Sequence, residues 1–186
     1  GIDPDEDVRL VVLPPPYMVE SLASGHVDGF CVGAPWNSVA VELDVGRILH
    51  FGCEIMANVS EKVLAVRQRW AEDNPDTLSA LVRALARAGK FVDDRNNHST
   101  AAEVVARRID VAPELVVRTL SGNLKVAPGD AISRSDRYIV VGRENASCPD
   151  PIQAAWAYAQ IVRWAQAPLS EDLRAAAENV FRADLY

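Results

Sequence analysis

The chain has 186 residues, 49% apolar and 24% charged, with 19 basic against 26 acidic side chains and a net charge of −7. That balance excludes wholesale disorder, allows one substantial core or two small domains, and leaves no basic footprint for direct nucleic-acid binding. No apolar run reaches the roughly 18 residues that a membrane-spanning helix requires.

In chain order, the first third reads as alternating short strands and helices. Val8 to Leu13 is a β-branched run stopped by Pro14-Pro15-Pro16, which predicts a buried strand. Met18, Val19 and Leu22 fall at helical spacing, and Gly25 closes that helix. Asp28 to Gly33 reads as a second strand, and after Pro35-Trp36 a helix is predicted over Asn37 to Val45, closed by Gly46. Arg47 to Phe51 and Lys62 to Val66 are further strand candidates.

The rest reads as helix. Asn74-Pro75 supplies a cap followed by proline at the first helical position, and Leu78, Leu81, Val82, Leu85 and Val92 trace one face. Thr100 and Glu103 have capping-box spacing and open a helix bearing Val104, Val105 and Ile109. Pro113 opens another that runs to Gly122. Residues 123–149 read as irregular, with a turn at Pro128-Gly129 and a strand candidate at Tyr138 to Val141. Asp150-Pro151 starts a helix with Ile152, Ala155, Trp156, Ala159 and Val162 inward, and Ser170 starts a last one with Leu173, Ala176, Ala177 and Val180 inward. Strands crowded into 1–66 and helical cover over 67–186 predict an α/β fold, with a short parallel or mixed sheet followed by a mostly helical half. A parallel sheet needs more strands and cover on both faces, so the chain reads as the later part of a longer α/β protein.

Catalytic constellations are missing from the sequence. His26, His50 and His98 share no metal-ligand spacing, and Cys31, Cys53 and Cys148 form neither a CxxC nor a disulfide framework. Cys31, inside an apolar run, reads as buried filler, His50 as a core-edge histidine, and Asp93-Asp94 as a solvated helix end. Neither a catalytic centre nor a cofactor is expected. Two features invite a functional reading. Gly29 to Asn37 joins a strand to a helix through Gly33-Ala34-Pro35-Trp36, the setting in which open α/β sheets bind ligands; it reads equally as a tight turn with Trp36 packed in the core. Lys62 stands at the mouth of a strand candidate, one of three lysines among the 19 basic residues. Its ammonium is a compact point charge suited to a small monovalent anion, although a lone lysine also suits a solvated surface.

The series Gly1-Ile-Asp-Pro4, Val8 to Leu13 with its three prolines, Leu22-Ala-Ser-Gly-His-Val-Asp-Gly-Phe30 and Val32-Gly-Ala-Pro-Trp-Asn37 resembles the nitrate/bicarbonate-binding protein family. Glu61-Lys62 through Arg67, the Asn74-Pro75 helix and the ending Val180 to Tyr186 fit the same pattern. The resemblance implies part of a type II periplasmic-binding fold, in which two α/β lobes close on the ligand, with a first lobe preceding Gly1. It implies a non-enzymatic substrate-binding component of a nitrate-type ABC importer, which works with a permease in the periplasm. The ligand is nitrate or nitrite, and Gly33, Ala34, Pro35, Trp36 and Lys62 are expected at the site. A lysine in this stretch goes with nitrate in the family, whereas bicarbonate binders carry an acidic residue and use calcium. Ala34 departs from the Glu that many transporter members place before Pro-Trp. Gly33-Ala-Pro-Trp-Asn-Ser38 is similar instead to cytoplasmic nitrate sensors, which act on an RNA-binding antiterminator. An enzyme of the same fold, such as a thiamine-pyrimidine synthase relative, would need a Cys or His cluster that the sequence lacks. A chain without its first lobe would leave sheet edges open and is expected to form homo-oligomers.

Overall fold

The computed structural model describes residues 2–129 and 131–186. Gly1, the first residue of the Gly-Ile-Asp-Pro start, lies outside them. Helices dominate: α1 (Pro15–Ala23), α2 (Trp36–Glu42), α3 (Gly52–Ile55), α4 (Gln68–Asp73), α5 (Pro75–Asp93), α6 (His98–Ile109) and α7 (Pro113–Ser121) come first. The strands β1 (Asn123–Lys125) and β2 (Ile132–Arg134) follow, then α8 (Pro151–Arg163) and α9 (Glu171–Val180).

Most helix starts follow from local chemistry. Proline stands in the first turn of α1, α5, α7 and α8, where its missing N–H costs no intrahelical bond. The Asp150 and Ser170 side chains cap α8 and α9 by accepting from Ile152 N and Leu173 N. Gly122 ends α7 at φ +71°, and a Cβ there would overlap the Ser135 carbonyl, so glycine is required. The helix expected to open at Thr100 starts earlier, at His98. A 3-10 turn over Arg95–Asn97, capped by the Asp94 side chain, runs straight into α6 and leaves Thr100 and Glu103 inside it.

The best-packed region is the α6–α7 pair. Ala102, Ala106 and Val116 are buried there, with Val111, Val117 and Leu120 packed around them. The small alanines let the two helices approach closely. Two inward faces differ from expectation. On α8 the buried residues are Ala154 and Tyr158, one turn apart, while Ile152 is exposed. No residue of α9 is buried, and Val180 is 74% exposed. Beside the packing of the two helices, a single hydroxyl links α8 to the segment leading into α9: Tyr158 Oη donates to the Pro168 carbonyl at 2.6 Å and accepts from Ser170 N at 2.8 Å. Tyr158→Phe removes both bonds with little change in shape. It is expected to lower stability by about 1–2 kcal/mol, read as a lower urea midpoint.

The strand expectations need the largest correction. Among the described residues the only sheet is the antiparallel β1–β2 hairpin, in register Leu124↔Ser133. It lies in a stretch expected to be irregular, and residues 138–141 form no strand. The runs 8–13, 28–33, 47–51 and 62–66 form no strand. A helix closes its hydrogen bonds within itself, whereas a strand exists only beside a partner. Their side chains are correspondingly open, with Leu10 at 79%, Val12 at 99% and Val63 at 67% exposure. The run at 47–51 comes nearest to pairing, since Ile48 N donates to Val126 O at 2.8 Å just beyond β1.

A second junction joins α5 to the segment at 141–147. Asp93, expected to be solvated, accepts from the backbone N–H groups of Val141, Gly142 and Arg143 at 3.1, 2.7 and 2.7 Å. Three successive backbone donors converge on one carboxylate, which anchors this segment to the end of the helix. Gly89 and Gly142 allow the two backbones to meet directly.

Candidate functional site

The Gly33–Trp36 turn carries the chain from an extended segment into α2. Pro35 is buried, Gly33, Ala34 and Trp36 are half-buried, and the Ala34–Pro35 peptide is cis. Trp36 is therefore neither a fully packed core aromatic nor a freely solvated one. Part of the turn's donor capacity is used internally. Ser38 N donates to Pro35 O and to the Asn37 side-chain oxygen, and Val39 N donates to Pro35 O.

Behind the turn, α2 is anchored firmly. Ser38, Ala40 and Val41 are buried, and the helix packs against α1 and β1. The Ser38 hydroxyl is buried with no hydrogen-bond partner among the described residues. At the far end, Arg118 of α7 forms a half-buried ion pair with Glu42, and Lys125 of β1 lies 3.7 Å from Asp44. The elements carrying the turn are thus coupled to the helical body by packing and by charge.

The fold brings Lys62, 29 positions further on, back to Gly33. A Cβ built on Gly33 would lie 3.3 Å from Lys62 Nζ and 2.9 Å from Glu61 Oε1. The bare glycine allows this approach. The Lys62 ammonium donates to Glu61 Oε1 at 2.6 Å, and the two side chains are 75% and 55% exposed. The loop before Lys62 is tethered to α8: Ser60 Oγ donates to Gln153 Oε1, and Gln153 Nε2 donates to Asn58 O at 3.2 Å. Beside these bonds runs an apolar groove of about 210 Å³ lined by Met56, Val59, Ile152 and Trp156.

Of the site residues expected from the sequence, Gly33 and Lys62 are thus brought together, with Ala34, Pro35 and Trp36 continuing from Gly33. Glu61 was not singled out, although its position next to Lys62 is the signal that could have found it. The other candidates fall away for physical reasons. Cys31 is exposed, because the run around it has no sheet to enter. His50 is exposed, 3.9 Å from Glu54, while its neighbour Phe51 packs on Tyr138 with ring centroids 4.0 Å apart. Among the described residues no group of three or more His, Cys, Asp or Glu side chains is placed to hold a metal ion, and no helix is long and apolar enough to cross a membrane.

The fold places the chain in a class. It superposes over its whole length on the crystal structure of the periplasmic nitrate-binding protein NrtA from Synechocystis, with a TM-score of 0.92 and 26% sequence identity, and covers 49% of that protein. Its fold is that of about half of a periplasmic binding protein. Residues 1–106 match the model of the NMT1-like family, and the chain belongs to that family. Over its full length it is 34% identical to the nitrate/nitrite binding protein NrtA of Synechococcus elongatus. It is 32% identical to the nitrate import ATP-binding protein NrtC of Synechocystis. The chain spans 42% and 28% of those two relatives.

Proposed function

We propose that this chain is part of a non-enzymatic receptor for nitrate or nitrite, the substrate-binding component of an ABC-type importer acting in the periplasm. The observation that carries this reading is the position of the Lys62 ammonium beside Gly33, at the head of the Gly33–Trp36 turn. The similarity of the whole chain to a nitrate/nitrite binding protein and to a nitrate import ATP-binding protein supports it. Nitrate spreads one charge over three oxygens and is weakly hydrated, so one ammonium together with a few neutral donors can balance it. Residues 1–66 then contribute the remainder of a ligand-binding lobe and its crossover, and 67–186 pack on it. A further lobe outside this chain forms the other wall and pairs with the exposed extended runs, and closure of the lobes reports the anion to a permease.

Titration calorimetry on the full-length protein tests the reading, with nitrate, nitrite, and bicarbonate with and without calcium as ligands. Nitrate or nitrite is expected to bind, and Lys62→Ala to weaken binding by about tenfold or more, the loss of one charge-assisted hydrogen bond. Nitrate binding that Lys62→Ala leaves unchanged would remove Lys62 from the site. Binding only of bicarbonate with calcium would replace the ligand.

A further inference from the structure

The Lys62 ammonium already holds an oxyanion. Glu61 Oε1 sits 2.6 Å from Nζ, and the same two atoms crowd the space over Gly33 where a Cβ would stand, at 2.9 and 3.3 Å. A carboxylate is a planar group with one negative charge shared over its oxygens, and in those respects it resembles nitrate. The two side chains belong to adjacent residues, so their effective concentration for each other is high and independent of any ligand. The pair is also exposed, so it is weak enough to open.

We propose that Glu61 is a tethered competitor: its carboxylate occupies the anion-facing side of Lys62 over Gly33, and an incoming oxyanion must displace it. This rests on the reading of Lys62 as the oxyanion-binding group. Glu61 then sets the affinity threshold of the site. It lowers affinity for every monovalent anion by the same factor, the cost of opening the ion pair. The bare Gly33 leaves room for both the carboxylate and the ammonium above it.

The test is nitrate titration calorimetry on the full-length protein, comparing wild type, Glu61→Gln and Glu54→Gln. Glu61→Gln keeps the shape and removes the competing charge. Glu54 accepts from Phe51 N and does not touch Lys62, so Glu54→Gln removes one equal charge without freeing the ammonium. Glu61→Gln is expected to tighten nitrate binding by about two- to fivefold, the range open to an exposed ion pair, and to raise chloride inhibition of that binding. Glu54→Gln is expected to leave both unchanged. Wild-type binding that Glu61→Gln does not alter, or that both variants tighten equally, overturns the competitor and leaves the nitrate site standing. No binding by wild type or by Glu61→Gln removes the site itself, and binding by Glu61→Gln alone supports the competitor.

Discussion

Asp93→Ala is expected to lower the stability of the protein by about 3 kcal/mol, measured as a lower urea midpoint at an unchanged slope. The carboxylate accepts from three consecutive backbone N–H groups, at Val141, Gly142 and Arg143. Each is a charge-assisted bond worth roughly 1.5–3 kcal/mol, and removing the acceptor strands all three donors at once. The full sum is not expected, because the site is only half-buried and water can reach some of the stranded donors. Asp93→Asn keeps one carbonyl oxygen in the same place and is expected to cost about half as much. A change below about 0.5 kcal/mol for Asp93→Ala, the range of ordinary surface substitutions, would show that the segment at 141–147 is held by its packing alone.

Gly142→Ala is expected to cost about 3 kcal/mol or more, by a different route. A Cβ at Gly142 would overlap the backbone C of Gly89 and N of Lys90, and would lie 2.8 Å from the Gly89 carbonyl oxygen. All three atoms belong to the backbone of α5, so no side chain can rotate away, and the whole segment must lift off the helix. Lifting it also stretches the bonds to Asp93, so the Asp93→Ala and Gly142→Ala effects should combine to less than their sum. Gly89→Ala is the informative contrast. Its Cβ would meet Ser147 Oγ at 3.0 Å and Gly142 Cα at 3.2 Å. Against that crowding, alanine in a helix interior gains about 1 kcal/mol over glycine. The two terms nearly cancel, and Gly89→Ala is expected to stay within about 1 kcal/mol of wild type. Thermal unfolding of the three variants separates the cases, and a Gly142→Ala protein as stable as wild type would mean that the two backbones do not meet as described.

What was legible in the sequence divides along a physical line. Proline after Asn74, Ala112 and Asp150, the Ser170 cap and the Gly122 stop all act within a few residues, and the helices they predict are present. The strand expectations at 8–13, 28–33, 47–51 and 62–66 depended on partners that local pattern does not supply, and among the described residues those runs form no strand. The β1–β2 hairpin was missed because each strand is three residues long, too short to show alternation. At the candidate site, Gly33 and Lys62 could each be singled out by type and position, but local pattern could not bring them together across 29 residues; only the family resemblance placed them at one site. The Asp93 clamp was misread for the same reason, since a carboxylate at a helix end looks solvated until the segment 48 residues later is folded against it.

The α8–α9 junction and the open extended runs together bear on the order in which this molecule comes apart. No side chain of α9 is fully buried, yet the helix packs along α8 and is pinned at its start by the bonds around one phenolic oxygen. Thermal agitation is expected to loosen the open runs at 8–13 and 28–33 before it disturbs the alanine-lined seam between α6 and α7. A protease meeting the native molecule is expected to cut first in those open runs, and the trimmed remainder to keep its centre intact.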